Sequence, residues 1–321
     1  MQASAAAILV HPRSFALREL QPPVPGSRQV RVRLQGCGVC ASSLPVWEGR
    51  PWFRYPLAAG APGHEGWGVV DAIGAEVDGF AVGDRVAFLS EHAYARYDIA
   101  DAGSAVKVPE SLAHMPFPGE PFACALNIFR RSDIREGQTV AIVGIGFLGT
   151  VLTALASRAG ARVIAFSRRP FSLELAGRMG AHSTISLNDV QRALREFRSR
   201  CREQGAERVI EATGSQEALD LATELTAVRA RLIIAGYHQD GARKVDLQKW
   251  NWRGIDVINA HEREPSEYVR GMREAVDLVA RGALDLRPLL THRFPLEEMA
   301  AAFETLRLRP PGFVKALVVM D

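Results

Sequence analysis

A chain of 321 residues with 39 basic and 36 acidic side chains carries a formal charge of +3 spread along its length, which excludes a domain-scale basic face for nucleic acid and favours a small-molecule enzyme. No run approaches the ~18 apolar residues of a membrane span, and the small, apolar start at residues 1–10 lacks the basic leader and cleavage pattern of a signal peptide. The cysteines, Cys37, Cys40, Cys124 and Cys201, form no regular disulfide framework, so a reduced, cytoplasmic setting that keeps a thiolate available is expected.

From residue 5 to about residue 108, short β-rich runs at 30–34, 68–73, 85–88 and 94–99 are separated by Gly, Pro and Asp, predicting a twisted, barrel-like antiparallel domain. Two motifs inside it carry chemistry. Gly36-Cys37-Gly38-Val39-Cys40-Ala41-Ser42 holds Cys40, and Gly63-His64-Glu65-Gly66-Trp67-Gly68 continues through Gly74 and Val77 into Gly83-Asp84-Arg85-Val86. A soft thiolate, an imidazole and a carboxylate in one pocket are ligand types that suit zinc, so Cys40, His64 and Glu65 are candidate metal ligands. Trp47, Trp52, Phe53 and Tyr55, between the first two ligands, line an apolar substrate pocket or form the core beneath that loop.

Around Glu120 the texture changes. Residues 139–143 read as a fully buried strand feeding Gly144-x-Gly146-x-x-Gly149 and an apolar helix to residue 159. Strands at 162–166, 208–211 and 231–235 then alternate with helices at 171–179, 188–204 and 216–226, the mark of a doubly wound parallel sheet. In that context the glycine pattern is a dinucleotide site. Gly144 makes the tight turn, Gly146 admits the pyrophosphate, Gly149 packs helix on strand, and the amides of the helix start, at Phe147 and Leu148, face the phosphates. Gly236, after the strand at 231–235, is placed in the same site. The second strand ends in Phe166-Ser167-Arg168-Arg169 rather than in an acid, and two guanidinium groups suit a ribose 2′-phosphate, so NADP(H) is expected over NAD(H). Arginines 192, 195, 198, 200 and 202, mixed with Glu196 and Glu203, are read as a solvated helix face. A strand at 257–259, an amphipathic helix at 265–281 and a strand at 313–320 end the chain.

Over nearly its whole length the sequence resembles the zinc-containing alcohol and polyol dehydrogenases of the medium-chain dehydrogenase/reductase family. The likeness rests on the Cys40 and His64-Glu65 motifs, the glycine turn, Glu211-Ala212-Thr213-Gly214, Trp252-Arg253-Gly254 and the terminal strand with Lys315. It implies an α/β chain with a GroES-like twisted β-barrel catalytic domain (1–120 plus 259–321) and an inserted Rossmann doubly wound parallel-sheet domain (121–258). It also implies zinc on Cys40 and His64, with Glu65 entering or supporting the site and Glu120, in a sorbitol-type Glu-Pro pair, as a further ligand; Cys124 is the alternative. Ser42 matches the family hydroxyl that passes the proton, and Glu65 the neighbouring carboxylate. Two positions depart from the pattern. Ser43 stands where an Asp commonly orients the ligand histidine, and Pro45 where a His continues the proton path. The four-cysteine lobe of many relatives is missing, so one catalytic zinc and no structural zinc is expected.

The resemblance implies a zinc-dependent oxidoreductase that moves hydride between NADP(H) and a small alcohol, polyol or carbonyl partner. It also implies a homodimer or homotetramer paired through residues 256–260, without nucleic-acid or membrane partners. Reduction of a conjugated double bond, or a catalytically silent nucleotide-binding relative, are the alternatives.

Overall fold

The computed structural model describes residues 4–201 and 204–320; Arg202 and Glu203 of the arginine-rich stretch, and residues 1–3 of the N-terminal run, lie outside them. Two compact units emerge, one formed by Met1–Ala123 with Glu264–Asp321 and the other by Cys124–Arg263. Among the described residues no helix is long and apolar enough to cross a membrane.

The first unit opens with a hairpin, β1 (Ser4–His11) and β2 (Ser14–Leu20), followed by the long β3 (Gln29–Val39). A short helix, α1 (Leu44–Glu48), follows, then β4 (Gly66–Ile73), β5 (Arg85–Phe88), β6 (Tyr97–Asp101) and β7 (Ala105–Lys107). Next comes α2 (Gly119–Ser132), which the sequence reading does not anticipate; its first turn carries Glu120. Pro121 is tolerated there because first-turn N–H groups have no intrahelical acceptor.

The second unit alternates β8 (Thr139–Val143), α3 (Phe147–Arg158), β9 (Arg162–Ser167), α4 (Pro170–Arg178), β10 (Ser183–Ser186) and α5 (Val190–Arg200). It continues with β11 (Ala206–Glu211), α6 (Gln216–Leu225), β12 (Thr226–Ile234), α7 (Leu247–Arg253) and β13 (Asp256–Asn259). The chain returns to the first unit through α8 (Pro265–Ala280), β14 (His292–Pro295), α9 (Met299–Leu308) and β15 (Ala316–Val319).

All strands of the second unit are parallel, in the order β10-β9-β8-β11-β12-β13. This is the doubly wound order, in which the winding reverses beside the unit's first strand. The continuous apolar runs are explained by burial on both sheet faces. Ala141, Val143, Ile164, Phe166, Val209 and Leu232 belong to one core with residues of α5 and α6, whereas Val140, Ile142, Val163, Ala165, Ile210 and Ile233 belong to another with residues of α3. Two expected boundaries shift in this unit. The helix expected at 188–204 spans Val190–Arg200, starting where the Asp189 side chain accepts the Arg192 N–H at 2.9 Å, and β12 begins at Thr226 rather than at residue 231.

In the first unit, β3 is the spine. It pairs antiparallel with β4, β6 and β15, so the chain leaving β3 lies beside the chain entering β4 and the chain entering β15. The core of this unit includes Val32, Leu34, Val70, Phe88, Tyr94, Phe303 and Val318, all buried. Trp47 belongs to that core, its ring stacked on Phe303 at 5.6 Å, and Phe53 and Tyr55 pack against it, while Trp52 is 58% exposed. Of the two readings of the aromatic loop, Trp47 takes the core one.

Candidate functional site

Where β3 ends, the chain enters a 3-10 turn, Ala41–Ser43, and Cys40 stands at its N-cap. Across the sheet the Gly38 N–H donates to the Glu65 carbonyl at 3.1 Å, which fixes His64 and Glu65 as the residues entering β4. Cys40, His64 and Glu65 thereby converge: one ligand atom from each lies within 4.8 Å of the others. Cys37 stays out of this group. Its Sγ donates to the Gly38 carbonyl at 3.3 Å, and burial pushes its thiol well up.

The His64 ring is aimed from behind by the backbone. Nδ1 lies 3.0 Å from the Pro62 carbonyl, which can only accept, so Nδ1 carries a proton and donates, leaving Nε2 to face the site. The ring is thus held by a main-chain carbonyl rather than by a carboxylate. Ser42 Oγ stands 3.5 Å from Nε2, while Ser43 and Pro45 are buried.

Glu65 is fully buried, and the sequence reading misses what balances it. Lys315, also buried, donates from Nζ to Glu65 Oε1 at 2.5 Å, while Oε2 has no hydrogen-bond partner among the described residues. Taking a carboxylate and an ammonium out of water costs several kcal/mol per ion, so such a pair contributes little net stability. Its effect is geometric: one oxygen is tethered and the other is left as a bare acceptor beside Cys40 and His64. The signal for Lys315 was a single charge in the otherwise apolar run at 313–320. Gly38 makes room for this carboxylate, since a Cβ there would lie 1.8 Å from Glu65 Oε2. Gly38→Ala is expected to dislodge the carboxylate and cost about 3–5 kcal/mol, the cost of breaking a buried pair. Chemical denaturation checks this, and wild-type stability in the variant would mean that the carboxylate has room elsewhere.

The electrostatics favour a cation. Burial pulls the His64 imidazole down, but its hydrogen bond to Cys40 and the charges of Cys40, Glu120 and Glu65 outweigh that and hold it at about 10. Burial likewise works against the Lys315 ammonium, and Glu65, Cys40 and Glu120 together raise it. Glu120, half-buried in the first turn of α2, is outside the three-atom cluster yet close enough to act on both groups. Cys124 follows it one helical turn later. A thiolate-capable sulfur, an imidazole nitrogen and an unpartnered carboxylate oxygen fit a zinc ion.

In the second unit the glycine turn has the form its spacing predicts. Gly144 has φ of 101° and follows β8, and a Cβ on Gly149 would lie 2.0 Å from the Gly144 carbonyl, so only glycine lets α3 start this close to the strand. A Cβ on Gly146 would meet nothing within 4 Å, which leaves open space over the turn. No side chain caps α3, whose first turn holds Phe147 and Leu148, and its leading N–H groups suit phosphate oxygens. At the end of the adjacent β9, Ser167 is buried and its Oγ accepts the Arg169 N–H at 3.2 Å. Arg169 reaches back to the Ile145 carbonyl at 3.4 Å, and Arg168 is exposed. Gly236, beyond β12, packs so that a Cβ would lie 2.1 Å from the Gly214 nitrogen.

Comparisons with known proteins bear on the family and the fold. Residues 26–110 match the model of an alcohol dehydrogenase GroES-like domain, and residues 148–280 that of a zinc-binding dehydrogenase. The chain is 25% identical to a 2-dehydro-3-deoxy-L-galactonate 5-dehydrogenase of Pseudoalteromonas atlantica, covering 95% of this chain and 96% of the relative. It is 25% identical to a sorbitol dehydrogenase of Halalkalibacterium halodurans, covering 91% and 92%. A crystal structure of a zinc-binding dehydrogenase from Sinorhizobium meliloti, bound to NADP, shares the fold with a TM-score of 0.85 at 24% identity, covering 99% of this chain and 100% of the other.

Proposed function

Because the chain belongs to the zinc-type medium-chain dehydrogenase/reductase family, we propose that it is a zinc-dependent, NADP(H)-preferring oxidoreductase that interconverts a small alcohol or polyol and its carbonyl partner. The observation that carries this reading is the convergence of Cys40, His64 and Glu65, with the buried Glu65 Oε2 left without a hydrogen-bond partner among the described residues. Cys40 and His64 hold one zinc per chain, with Glu65 or Glu120 supplying the carboxylate. When bound, zinc supplies a Lewis acid for a substrate oxygen and the nicotinamide supplies the hydride acceptor or donor.

The chain's own residues supply the rest. The Pro62 carbonyl and Lys315 hold His64 and Glu65 in place. Ser42 Oγ takes the proton from a substrate hydroxyl, or returns it to a carbonyl oxygen, and neither Ser43 nor Pro45 offers the acid or imidazole that would carry it further. That shortened path is the observation favouring a second reading, reduction of a conjugated double bond, in which the proton goes to carbon. Incubating the zinc-loaded protein with panels of alcohols, sugars and enals while following NADPH absorbance tests the two: turnover of alcohols or ketones supports the first, and turnover of enals alone overturns it.

NADP(H) preference rests on Ser167, Arg168 and Arg169. Losing one charge-assisted contact to a phosphate costs on the order of 1.5–3 kcal/mol, so Arg168→Ala is expected to weaken NADPH binding about ten-fold or more. NADH should be little affected. Titration showing that the wild type binds both dinucleotides equally would overturn the assignment. The assembly is a cytoplasmic homodimer or homotetramer, paired through the open edge strand β13.

A further inference from the structure

Glu211, the last residue of β11, is a fully buried carboxylate to which neither the glycine turn nor the arginines after β9 assign a role. Its Oε1 accepts from the Thr213 N–H and Oγ1, both at 2.7 Å, and from the Gly214 N–H at 2.8 Å. Its Oε2 lies 3.0 Å from His238 Nε2, and the other ring nitrogen, Nδ1, lies 2.8 Å from Arg243 Nε. An arginine only donates, so Nδ1 accepts and the ring proton sits on Nε2, pointing at Glu211. Arg243 closes the ring of contacts by donating from Nη2 to the Gly214 carbonyl at 2.6 Å and by pairing with Asp240.

The network ties the turn after β11 to the loop after β12. Gly214 is held at both its N–H and its carbonyl, and Gly236 packs against it too closely for any side chain. Thr213 in turn borders the glycine turn, since a Cβ on Gly144 would lie 2.3 Å from its Cγ2. β8, β11 and β12 are sheet neighbours, so these three segments stand together at the carboxyl ends of the strands, where a doubly wound sheet receives its ligand. A fully buried carboxylate joined to a half-buried imidazole and guanidinium is a costly way to join two loops unless their placement matters.

We propose that His238, gripped between Glu211 and Arg243, is a positioning residue that presets the loop after β12 for the part of the dinucleotide common to NADH and NADPH. The inference rests on the reading of the second unit as a dinucleotide site. Presetting the loop removes an ordering cost from binding, so its loss appears as weaker affinity for both cofactors.

The test is titration of NADPH and NADH into wild type, His238→Ala and His238→Gln, with thermal midpoints and steady-state kinetics for each. His238→Ala is expected to weaken both cofactors by about ten-fold, raising the dinucleotide KM more than it lowers kcat. His238→Gln, whose amide can donate to Glu211 and accept from Arg243, should recover most of the affinity. A lower thermal midpoint with wild-type affinity for both cofactors would overturn the positioning role and leave the dinucleotide site standing, as would loss of NADPH binding alone. If the wild type bound neither cofactor, the dinucleotide reading itself would fall.

Discussion

His64→Ala and Cys40→Ser are each expected to empty the metal site, taking zinc from about one ion per chain to near zero and turnover with it. Metal affinity is shared among few ligands, and even the groups that merely orient a ligand are typically worth about 10–100-fold. Removing a ligand therefore lowers affinity by on the order of 10²-fold or more. The fold should survive, because neither residue belongs to the core around Trp47, Tyr94 and Phe303. Elemental analysis of protein prepared without chelator, alongside thermal unfolding, checks both parts. Metal-free wild type would favour the catalytically silent reading instead. Within the same experiment Glu120→Gln should lose more metal or activity than Cys124→Ser; the reverse order would transfer the ligand role to Cys124.

Ser42→Ala is expected to lower alcohol or ketone turnover by roughly 10²-fold, within the range of general acid–base groups, while zinc content stays at the wild-type level. The expectation follows from where the residue stands. Its Oγ stands 3.5 Å from His64 Nε2, on the turn that presents Cys40, whereas its neighbour Ser43 is buried. Pro45 has no group to carry a proton onward, so in the proposed reaction Ser42 would be the last side chain of this turn to handle it. Zinc-loaded variant and wild type compared at saturating cofactor separate the outcomes. Near-normal turnover in the variant would mean that no proton passes through the hydroxyl, and would direct the substrate search to enals.

Much of the candidate site was legible because its parts are short-range. Gly144, Gly146 and Gly149 lie within one strand–turn–helix, and the need for glycine at Gly144 and Gly149 follows from φ and from the missing Cβ. The alternation of buried runs with amphipathic helices likewise reports a parallel sheet covered on both faces, since each strand records its own burial. The helix α2 was less legible. Its start at Gly119-Glu120-Pro121 lacks the usual capping residue, and the apolar texture around it reads equally as a loop over a core.

By itself the sequence determined which chemistries were at hand: a thiolate, an imidazole and a carboxylate at fixed spacing, a glycine turn between strand and helix, and two arginines after the second strand of the parallel sheet. Only the tertiary structure decided which groups answer one another. Lys315 reaches Glu65 across 250 residues, the Pro62 carbonyl holds the His64 ring, and His238 joins Glu211 to Arg243. The physical reason is that each of these partners is set by strand pairing and loop packing, and a buried charge carries no local mark of the residue that will neutralise it.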